Sequence, residues 1–440
     1  MNRLTGVSPL RLAAALRNLD PTSGGTLYLG HADDTAGEDR GWSFGPTVAV
    51  DPRFVGSGFR GETRKMLEAV ERRRVARRRV DGSRQTGILL GLGYHALDPA
   101  ADLDDGENGN EPPDWFWAEV DGSIHWADGV PRAAGLDADG RAQVEQALAS
   151  APASPEPPES TTDDVTVRTS LSRDAYLEAV RTIQRAIGEG EIYQANLCQR
   201  FECRGRLDLW EAFIRLPAAP RSAFVDWDGL TVASMSPETF LVIDGNGSIS
   251  TWPIKGTRVR DADPAEDRRL ADELLRSEKD RAELLMIVDL ERNDLGRIAL
   301  PGTVRVGPFP ELRRYTNVQH LVTRVSATLR PECGLPEWIE ATFPGGSITG
   351  APKIRARQLL AEIEPVPRNF FTGSLVWLGD DGHVESSILI RTYVGHGDRT
   401  WIGAGGGIVT DSDPVAEWRE SNDKVRPLCR GLGFEPEDAA

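Results

Sequence analysis

Cysteine is scarce in this 440-residue chain, and long apolar runs are missing from it. The four cysteines form neither a CxxC pair nor a cysteine and histidine spacing typical of zinc sites, which predicts free thiols and argues against a disulfide scaffold. No apolar stretch reaches the roughly 20 residues that a membrane-spanning helix needs. The first residues lack the apolar segment of a secretory signal, so the cytoplasm is the expected location.

Positive charge is also in deficit. The chain carries 51 Lys and Arg against 68 Asp and Glu, a formal net charge of -17. Binding to nucleic acid or to an anionic membrane needs clustered cations, so this balance argues against both kinds of partner. Lysine is rare even among the basic residues: it occurs only at Lys65, Lys255, Lys279, Lys353 and Lys424.

One of these lysines stands in the segment TWPIKGTR, residues 251–258. Arginine keeps its proton in proteins, whereas a lysine among apolar neighbours or other cations can become a free amine and act as a nucleophile. Lys255 is therefore a candidate catalytic residue. The segment alone also fits a lysine that solvates a turn before Gly256, and the choice between the two depends on the rest of the chain.

Runs of strands with intervening helices, and no regular βαβ alternation, favour an α+β fold with antiparallel sheets. Strands are predicted at residues 26–29, 87–91, 115–120, 239–243, 248–254, 373–378, 386–394 and 400–404. A stretch rich in Pro, Ser and acid at 149–164 predicts a linker or loop between an N-terminal part, 1–148, and a C-terminal part, 165–435. Residues 102–114 predict a second, acidic loop.

A long helix predicted over residues 277–297 carries a pair of carboxylates. Asp280 and Glu283 are three residues apart and therefore share a helical face, which continues with Ile287 and Leu290. Acids on a face that is otherwise buried need a cation.

A second predicted helix near the C-terminus repeats this spacing. Asp413 followed by Pro414 predicts its start, and the helix carries Glu417, Glu420 and Lys424. Two such helices meeting would supply the carboxylate oxygens that Mg²⁺ prefers. Glu420 and Lys424 also fit an ordinary surface ion pair.

Three features are candidates for binding an anion. The run GAGGG at 403–407 follows a predicted strand, and its glycines would let backbone N–H groups converge on an oxyanion. The segment 343–353 leads with small residues into a helix predicted over 354–363, where amides would again be free. Arg391 lies within a predicted apolar strand, where it needs a carboxylate from either the protein or a substrate.

Taken together, these segments resemble the chorismate-utilising enzymes. The match runs from about residue 170 to 428 and rests on GEIYQANLCQRF, SPETF, PIKGTR, EKDRAELLMIVDLERNDLGRI and a C-terminal group that includes GGSITGAPK, ILIRT and GAGGGIVTDSDPVAEWRESNDK. The resemblance implies a large single domain of two antiparallel β-sheets flanked by helices, with chorismate and Mg²⁺ in a central pocket. The stretch at 149–164 is then a linker within one fold.

The resemblance also implies roles for individual residues. The metal ligands fall on Glu283 and Glu420, with Asp280 and Glu417 supporting them. The implied catalytic residues are Lys255, Glu238 as general acid and His320 beside the substrate ring, although a lone histidine fits a core position equally well. The implied substrate contacts are Arg391, Ala404, Gly405, Thr349 and Lys424.

Within the family, lysine at position 255 is typical of the branch that aminates chorismate to 4-amino-4-deoxychorismate, on the route to p-aminobenzoate and folate. None of the four cysteines lies in a Gly-x-Cys-x-Gly setting, so a separate glutamine amidotransferase subunit is expected to supply ammonia. Synthesis of anthranilate, isochorismate or salicylate is the alternative reaction, and a non-catalytic chorismate-binding subunit is the alternative of another class. Phe371 departs from the tyrosine of many relatives, and the N-terminal third matches the family only loosely.

Overall fold

The computed structural model describes residues 7–19, 25–30, 42, 46–78, 82–98, 111–127, 130–150, 166–205, 207–217, 219–315 and 318–434. Most of the two predicted loops, 102–114 and 149–164, lies outside these residues. No helix among the described residues is both long and apolar enough to span a bilayer.

The helices of the described residues are α1 (Pro9–Leu19), α2 (Thr63–Arg77), α3 (Ala138–Ser150), α4 (Arg173–Gly188), α5 (Leu209–Arg215), α6 (Pro264–Arg276), α7 (Glu278–Gly296), α8 (Leu335–Thr342), α9 (Lys353–Ile363) and α10 (Pro414–Gly431). The strands are β1 (Thr26–Leu29), β2 (Thr47–Val50), β3 (Arg53–Gly58), β4 (Gly87–Leu92), β5 (Trp115–Val120), β6 (Gly122–Ala127), β7 (Val130–Ala134), β8 (Thr166–Thr169), β9 (Gln194–Arg204), β10 (Arg221–Trp227), β11 (Leu230–Ser236), β12 (Thr239–Ile243), β13 (Ser248–Thr251), β14 (Ile254–Val259), β15 (Arg305–Val306), β16 (Glu311–Arg314), β17 (Val318–Val322), β18 (Val325–Thr328), β19 (Gly350–Ala351), β20 (Ser374–Gly379), β21 (Val384–Ile388), β22 (Thr392–His396) and β23 (Arg399–Ile408).

Two large antiparallel sheets form the body of the protein. The first has 11 strands in the order β19-β9-β23-β22-β11-β10-β1-β2-β6-β7, with β8 also paired to β9. The second has 9 strands in the order β15-β18-β13-β12-β21-β20-β4-β5-β3. Strands from before and after the predicted linker pair directly, β1 with β10 and β4 with β20. The predicted α+β fold of two antiparallel sheets is confirmed.

Apolar side chains bury the inner faces of the two sheets against each other, with helices outside. Leu27 and Val225 of the first sheet belong to the same buried cluster as Leu89 and Trp377 of the second. Helices α2, α7 and α8 cover the outer face of the second sheet, and α1, α3, α5 and α10 cover that of the first. This layering follows because each sheet has two apolar faces to bury.

A third, small sheet of β14, β17 and β16 carries two of the predicted catalytic residues. Lys255 pairs with Leu321 and Thr257 pairs with His320, so the lysine and the histidine stand on adjacent strands. The register shifts between Lys255 and Thr257, at Gly256, whose φ is +70°. A bulge position with left-handed backbone favours glycine, which explains the glycine after the lysine. The bulge also changes the direction in which the neighbouring side chains point.

Helices α7 and α10 start where the sequence predicts. Ser277 caps α7 by accepting a hydrogen bond from the amide of Asp280 at 3.2 Å. Asp413 caps α10 by accepting one from the amide of Ala416 at 2.7 Å, with Pro414 as the first helical residue. Local capping therefore sets the position of both acid-bearing helices along the chain.

Two strand predictions near the site are wrong in detail. The strand expected over 386–394 is divided, because β21 ends at Ile388 and β22 begins at Thr392. Arg391 lies in this break with φ +51°, and not within a strand. The glycine run 403–407 does not follow a strand but belongs to β23, where it pairs with β9.

Candidate active site

A cavity of about 560 Å³ opens between the sheets, the third sheet and helices α7 and α10. It brings together residues that are up to about 230 positions apart in the chain. The predicted site residues that line it are Glu238, Lys255, Asp280, Glu283, His320, Arg391, Ala404, Gly405, Glu417, Glu420 and Lys424. Thr349 does not line it.

Lys255 projects from the third sheet into the acidic side of this cavity. It forms no hydrogen bond or ion pair with any described residue. It lines the same cavity as Glu238, Glu283 and Glu420, and its charge lowers the pKa of all three. An amine that is half-buried and not engaged elsewhere is free to react with a ligand in the cavity.

His320 is buried beside the lysine. Its Nδ1 atom lies 2.9 Å from Oγ1 of Thr257 and 3.2 Å from the carbonyl oxygen of Gly256. Because a carbonyl can only accept, we assign the proton of the neutral ring to Nδ1, which leaves Nε2 as the acceptor. Burial and the charge of Arg391 lower the pKa of His320, so the ring is neutral at neutral pH.

Glu238 also lines the cavity and is buried. Its Oε1 atom accepts a hydrogen bond of 2.6 Å from the hydroxyl of Ser347. Burial raises the pKa of Glu238, although Ser347 and Lys255 oppose the shift. A carboxyl with a raised pKa at a cavity wall is suited to act as a general acid.

The first pair of predicted metal-binding acids lies on α7. Asp280 approaches Arg258, with 3.5 Å between its Oδ2 and Nη2 of the arginine. Glu283 lies 4.0 Å from Nζ of Lys279. Burial raises the pKa of Glu283, and the charges of Asp280 and Glu420 add to the shift. The predicted shared face of Asp280 and Glu283 is confirmed, since both line the cavity.

The second pair lies on α10. Glu417 accepts a hydrogen bond of 2.7 Å from Ser412, and burial raises its pKa. Glu420 pairs with Lys424, 2.8 Å from Oε1 to Nζ. Burial disfavours the charge of Glu420, but Lys424, Lys279 and Lys255 together outweigh it and lower the pKa of this carboxyl.

These four acids fit a hard divalent cation. Within the described ranges, no group of three or more Asp, Glu, His or Cys side chains is arranged to hold a metal ion by itself. Mg²⁺ does not need such a group, because it is commonly held by one or two carboxylates together with waters and an anionic substrate. Glu283 and Glu420 supply two carboxylates whose charges repel each other, a repulsion that a cation would relieve.

Arg391 adds positive charge to the wall of the cavity. It forms no ion pair with a described residue, and its left-handed backbone holds it between β21 and β22. The side chain is exposed to the cavity, although the surrounding protein partly desolvates its charge and lowers its pKa. Arg391 is therefore not buried, contrary to what its predicted place in an apolar strand implied, and a substrate carboxylate as its partner stays a prediction.

The glycine run lies beside Arg391 along one edge of β23. Strand β22 pairs with β23 only as far as Ile402, so the edge of residues 403–407 that faces the cavity has no described strand on it. Gly403 is required by packing, since a Cβ there would stand 2.1 Å from the ring of Phe371. Phe371 thus lines the cavity with an apolar ring that cannot donate a hydrogen bond.

The segment around Thr349 was expected to present free backbone amides at the start of a helix, and the structure differs from this. Gly350 and Ala351 form β19 and pair with β9, so their backbone is engaged in the sheet. The hydroxyl of Thr349 donates to the carbonyl of Gly345 at 2.9 Å, and the side chain is fully buried. Its role as a substrate contact stays a prediction, which this geometry does not favour.

Sequence reasoning missed several residues of the site. Asn196 and Ser347 line the cavity, and Glu291 and Asp294 are buried just behind it. The last two follow Glu283 by eight and eleven residues, so helical spacing places them on the same face and could have identified them. Asn196 and Ser347 have no such spacing, but they lie in GEIYQANLCQRF and GGSITGAPK, two segments that carry the family resemblance. Their places at the cavity depend on the pairing of β9 with β19.

A cavity lined by carboxylates, lysines and arginines is suited to hold a small anionic substrate. A family model described as chorismate binding enzyme matches residues 35–430. The chain therefore belongs to the family of chorismate binding enzymes.

Curated relatives fall into two groups. Aminodeoxychorismate synthase component 1 of Klebsiella aerogenes is 46% identical over 268 residues, 60% of this chain and 59% of that protein. The enzyme of the same name from Escherichia coli K12 is 42% identical with the same coverage. These matches span about three fifths of the relatives' length. An anthranilate synthase component 1 of Haloarcula marismortui is 34% identical over 94% of this chain and 88% of that protein.

Solved structures share the fold. Anthranilate synthase component I from Streptococcus pneumoniae superposes with a TM-score of 0.72 at 24% identity, covering 87% of this chain and 91% of that one. MenF, a menaquinone-specific isochorismate synthase from Escherichia coli, gives 0.69 at 18% identity, with 97% and 91% covered.

Proposed function

We propose that this protein converts chorismate and ammonia to 4-amino-4-deoxychorismate, a precursor of p-aminobenzoate. The observation that carries the proposal is the position of Lys255, an unpaired amine in a cavity that also holds Glu238 and His320. Two relatives that are 46% and 42% identical to this chain support it, since they are named aminodeoxychorismate synthase component 1.

The chemistry follows from these three side chains. Nζ of Lys255 forms a bond to C2 of chorismate while the C4–O bond breaks, and the hydroxyl leaves as water with the proton of Glu238. Neutral His320 is available to accept the proton that the lysine loses. Ammonia then forms the C4–N bond as the Nζ–C2 bond breaks. The departing amine of Lys255 takes back the proton held by His320, and the ammonium formed at C4 gives its surplus proton to Glu238. The net reaction consumes chorismate and ammonia and yields the amine and water.

Substrate carboxylates have two complementary partners in the cavity. Arg391 offers a cation without an ion pair among the described residues, and the backbone of Ala404 and Gly405 borders the same space. Glu283 and Glu420 would hold Mg²⁺, with Asp280 and Glu417 supporting them. When bound, Mg²⁺ would neutralise a carboxylate of the substrate and fix its position.

The source of ammonia is proposed to be a separate glutamine amidotransferase subunit. A glutaminase nucleophile needs an accessible thiol that ionises readily. Cys198, Cys203 and Cys429 are buried, and burial raises the pKa of the first two to about 12. Cys333 is only partly buried but belongs to no Gly-x-Cys-x-Gly motif. We therefore expect glutamine to support turnover only when a partner is added.

Mass spectrometry tests the proposal directly. Intact protein incubated with chorismate and Mg²⁺ but without ammonia should carry an adduct on Lys255, and addition of ammonia should release aminodeoxychorismate. Lys255→Ala should lose both. Undiminished turnover in Lys255→Ala, with ammonia or with glutamine and a partner, would remove the covalent role.

Anthranilate formation is the second candidate, because the relative from Haloarcula marismortui matches far more of the chain. That product is aromatic and fluorescent and forms with loss of pyruvate. Release of pyruvate by the purified protein, without an added lyase, would favour this candidate over the amination.

A further inference from the structure

The backbone that carries Lys255 departs from the regular pairing of the third sheet. Lys255 pairs with Leu321 and Thr257 pairs with His320, so Gly256 has no partner in the register with β17. A residue left out of the pairing disrupts the hydrogen bonds that otherwise fix the geometry of a strand. Other contacts must therefore hold this bulge, and the direction of the Lys255 side chain depends on them.

The bulge is packed on two sides. On one side, Nδ1 of His320 lies 2.9 Å from Oγ1 of Thr257 and 3.2 Å from the carbonyl oxygen of Gly256. Helices α6 and α7 lie against the other side. A Cβ on Gly256 would stand 2.8 Å from Cδ1 of Leu274 on α6 and 3.0 Å from Cβ and Cγ of Asp280 on α7. The segment that carries the lysine is thus enclosed between a strand and two helices.

Arg258, three residues after the lysine, joins the bulge to both helices. Its Nη1 atom donates a hydrogen bond of 2.9 Å to the carbonyl oxygen of Thr257. Its Nε atom donates one of 2.9 Å to Oε1 of Glu273 on α6. Its Nη2 atom lies 3.5 Å from Oδ2 of Asp280 on α7. Each nitrogen of the guanidinium therefore faces an oxygen of the protein, one from the bulge and one from each helix.

These contacts distinguish Arg258 from Arg391, although both border the cavity. Arg391 forms no ion pair with a described residue, whereas all three nitrogens of Arg258 are engaged. A guanidinium is planar and holds its partners in fixed directions. Arg258 is therefore suited to fixing the backbone beside Lys255, and Arg391 is better suited to meeting a ligand.

We propose that Arg258 is a positioning residue, which aims the amine of Lys255 into the cavity by binding the bulge to α6 and α7. The inference rests on the proposed function, in which that amine attacks chorismate. Reacting groups must be held within about 0.5 Å of their productive geometry, and an error of about 1 Å can cost a hundredfold in rate. A flexible lysine side chain with no partner among the described residues depends on its backbone for this placement.

Single-turnover kinetics test the role by separating binding from bond formation. Arg258→Met keeps an aliphatic stem of similar length but removes all three contacts, so formation of the Lys255 adduct at saturating chorismate and Mg²⁺ should slow by about tenfold or more. The dissociation constant of chorismate, measured by equilibrium binding, should stay nearly the same. The opposite pattern, weaker binding with an unchanged rate at saturation, would make Arg258 a substrate contact and would overturn the proposal.

A second measurement needs no turnover, because the chain has only five lysines. Protein labelled with ¹³C at the ε carbon of lysine should give one NMR signal per lysine, and Lys255→Arg identifies the signal of Lys255. Arg258→Met should shift or broaden this signal, since the bulge no longer holds the amine in one environment. Glu273→Gln weakens one of the three contacts of Arg258 and should have a smaller effect in the same direction.

Arg269→Met is the matched control. Arg269 also binds Glu273, at 3.2 Å from Nη1 to Oε2, but its other hydrogen-bond partner is Glu266 of the same helix. This variant should leave both the adduct rate and the Lys255 signal as they are in the wild type.

An unchanged adduct rate and Lys255 signal in Arg258→Met, or equal changes in Arg269→Met, would overturn the proposal. If the wild type forms no adduct and consumes no chorismate, the proposed function fails. The NMR signal of Lys255 then still decides whether Arg258 holds the bulge in place.

Discussion

The ammonium of Lys424 joins Glu420 to the glycine-rich strand. Its Nζ atom lies 2.8 Å from Oε1 of Glu420 and 2.8 Å from the carbonyl oxygen of Gly405. One lysine therefore contacts both a carboxylate proposed to hold Mg²⁺ and a backbone segment proposed to border the substrate. Its charge also lowers the pKa of Glu420 against the effect of burial, which keeps that carboxylate ionised.

Replacing this lysine should weaken substrate binding. Lys424→Met keeps the length of the side chain but removes the charge, so the KM for chorismate should rise by about tenfold or more, the value of one charge-assisted hydrogen bond. Steady-state kinetics at saturating Mg²⁺ measure the effect. Lys65→Met, on the exposed side of α2, is the control and should leave KM unchanged. An equal KM in both variants would contradict the assignment of Lys424.

Lys255→Arg separates the charge at this position from its reactivity. Arginine retains the positive charge among Glu238, Glu283 and Glu420 but cannot provide a free amine. We expect the variant to bind chorismate and to lose the covalent adduct, with turnover lower by on the order of a hundredfold or more. Equilibrium binding and intact-mass spectra report the two properties separately. Normal turnover in Lys255→Arg would mean that only the charge matters.

The metal assignment can be tested through stability as well as activity. Burial, together with the charges of Asp280 and Glu420, raises the pKa of Glu283 above its usual value, so its ionised form destabilises the metal-free protein at neutral pH. Glu283→Gln should therefore raise the melting temperature at neutral pH, and the gain should vanish as pH falls below the usual range of a glutamate.

Mg²⁺ provides the second half of that test. It should raise the melting temperature of the wild type by binding the folded state, and this shift should shrink in Glu283→Gln and in Glu420→Gln together with activity. Glu337→Gln, on α8 and outside the cavity, is the control. A full Mg²⁺ shift with normal turnover in either site variant would show that the replaced residue is not a ligand.

Arg391 is expected to lower the stability of the protein and to strengthen its binding of chorismate. Its φ of +51° is a conformation that non-glycine residues adopt at a cost of about 1 kcal/mol or more. Arg391→Gly should therefore keep or gain stability while the KM for chorismate rises steeply, because the cation that faces the substrate is lost. Arg391→Lys keeps both the charge and the strain and should bind better than the glycine variant. Unchanged chorismate binding in Arg391→Gly would contradict the role of this residue.

The sequence by itself determined the class of fold, the starts of the acid-bearing helices and most of the residues that meet in the cavity. These features are local: Ser277 and Asp413 cap helices through amides three residues away, and Asp280 with Glu283 share a face because of helical spacing. Lys255 stood out because lysine is rare in this chain and because its segment matched a known motif.

Only the tertiary structure decided how the strands pair, and with them the finer geometry of the site. The pairing of β9 with β19 and β23 engages the backbone of Gly350 and places the glycine run within a strand. The break between β21 and β22 gives Arg391 its left-handed conformation. The approach of α7 to β13 and to the helix Gly346–Ile348 buries Glu291 against Thr251 and Gly346. Each of these depends on contacts between residues far apart in the chain, which local propensity and spacing do not encode.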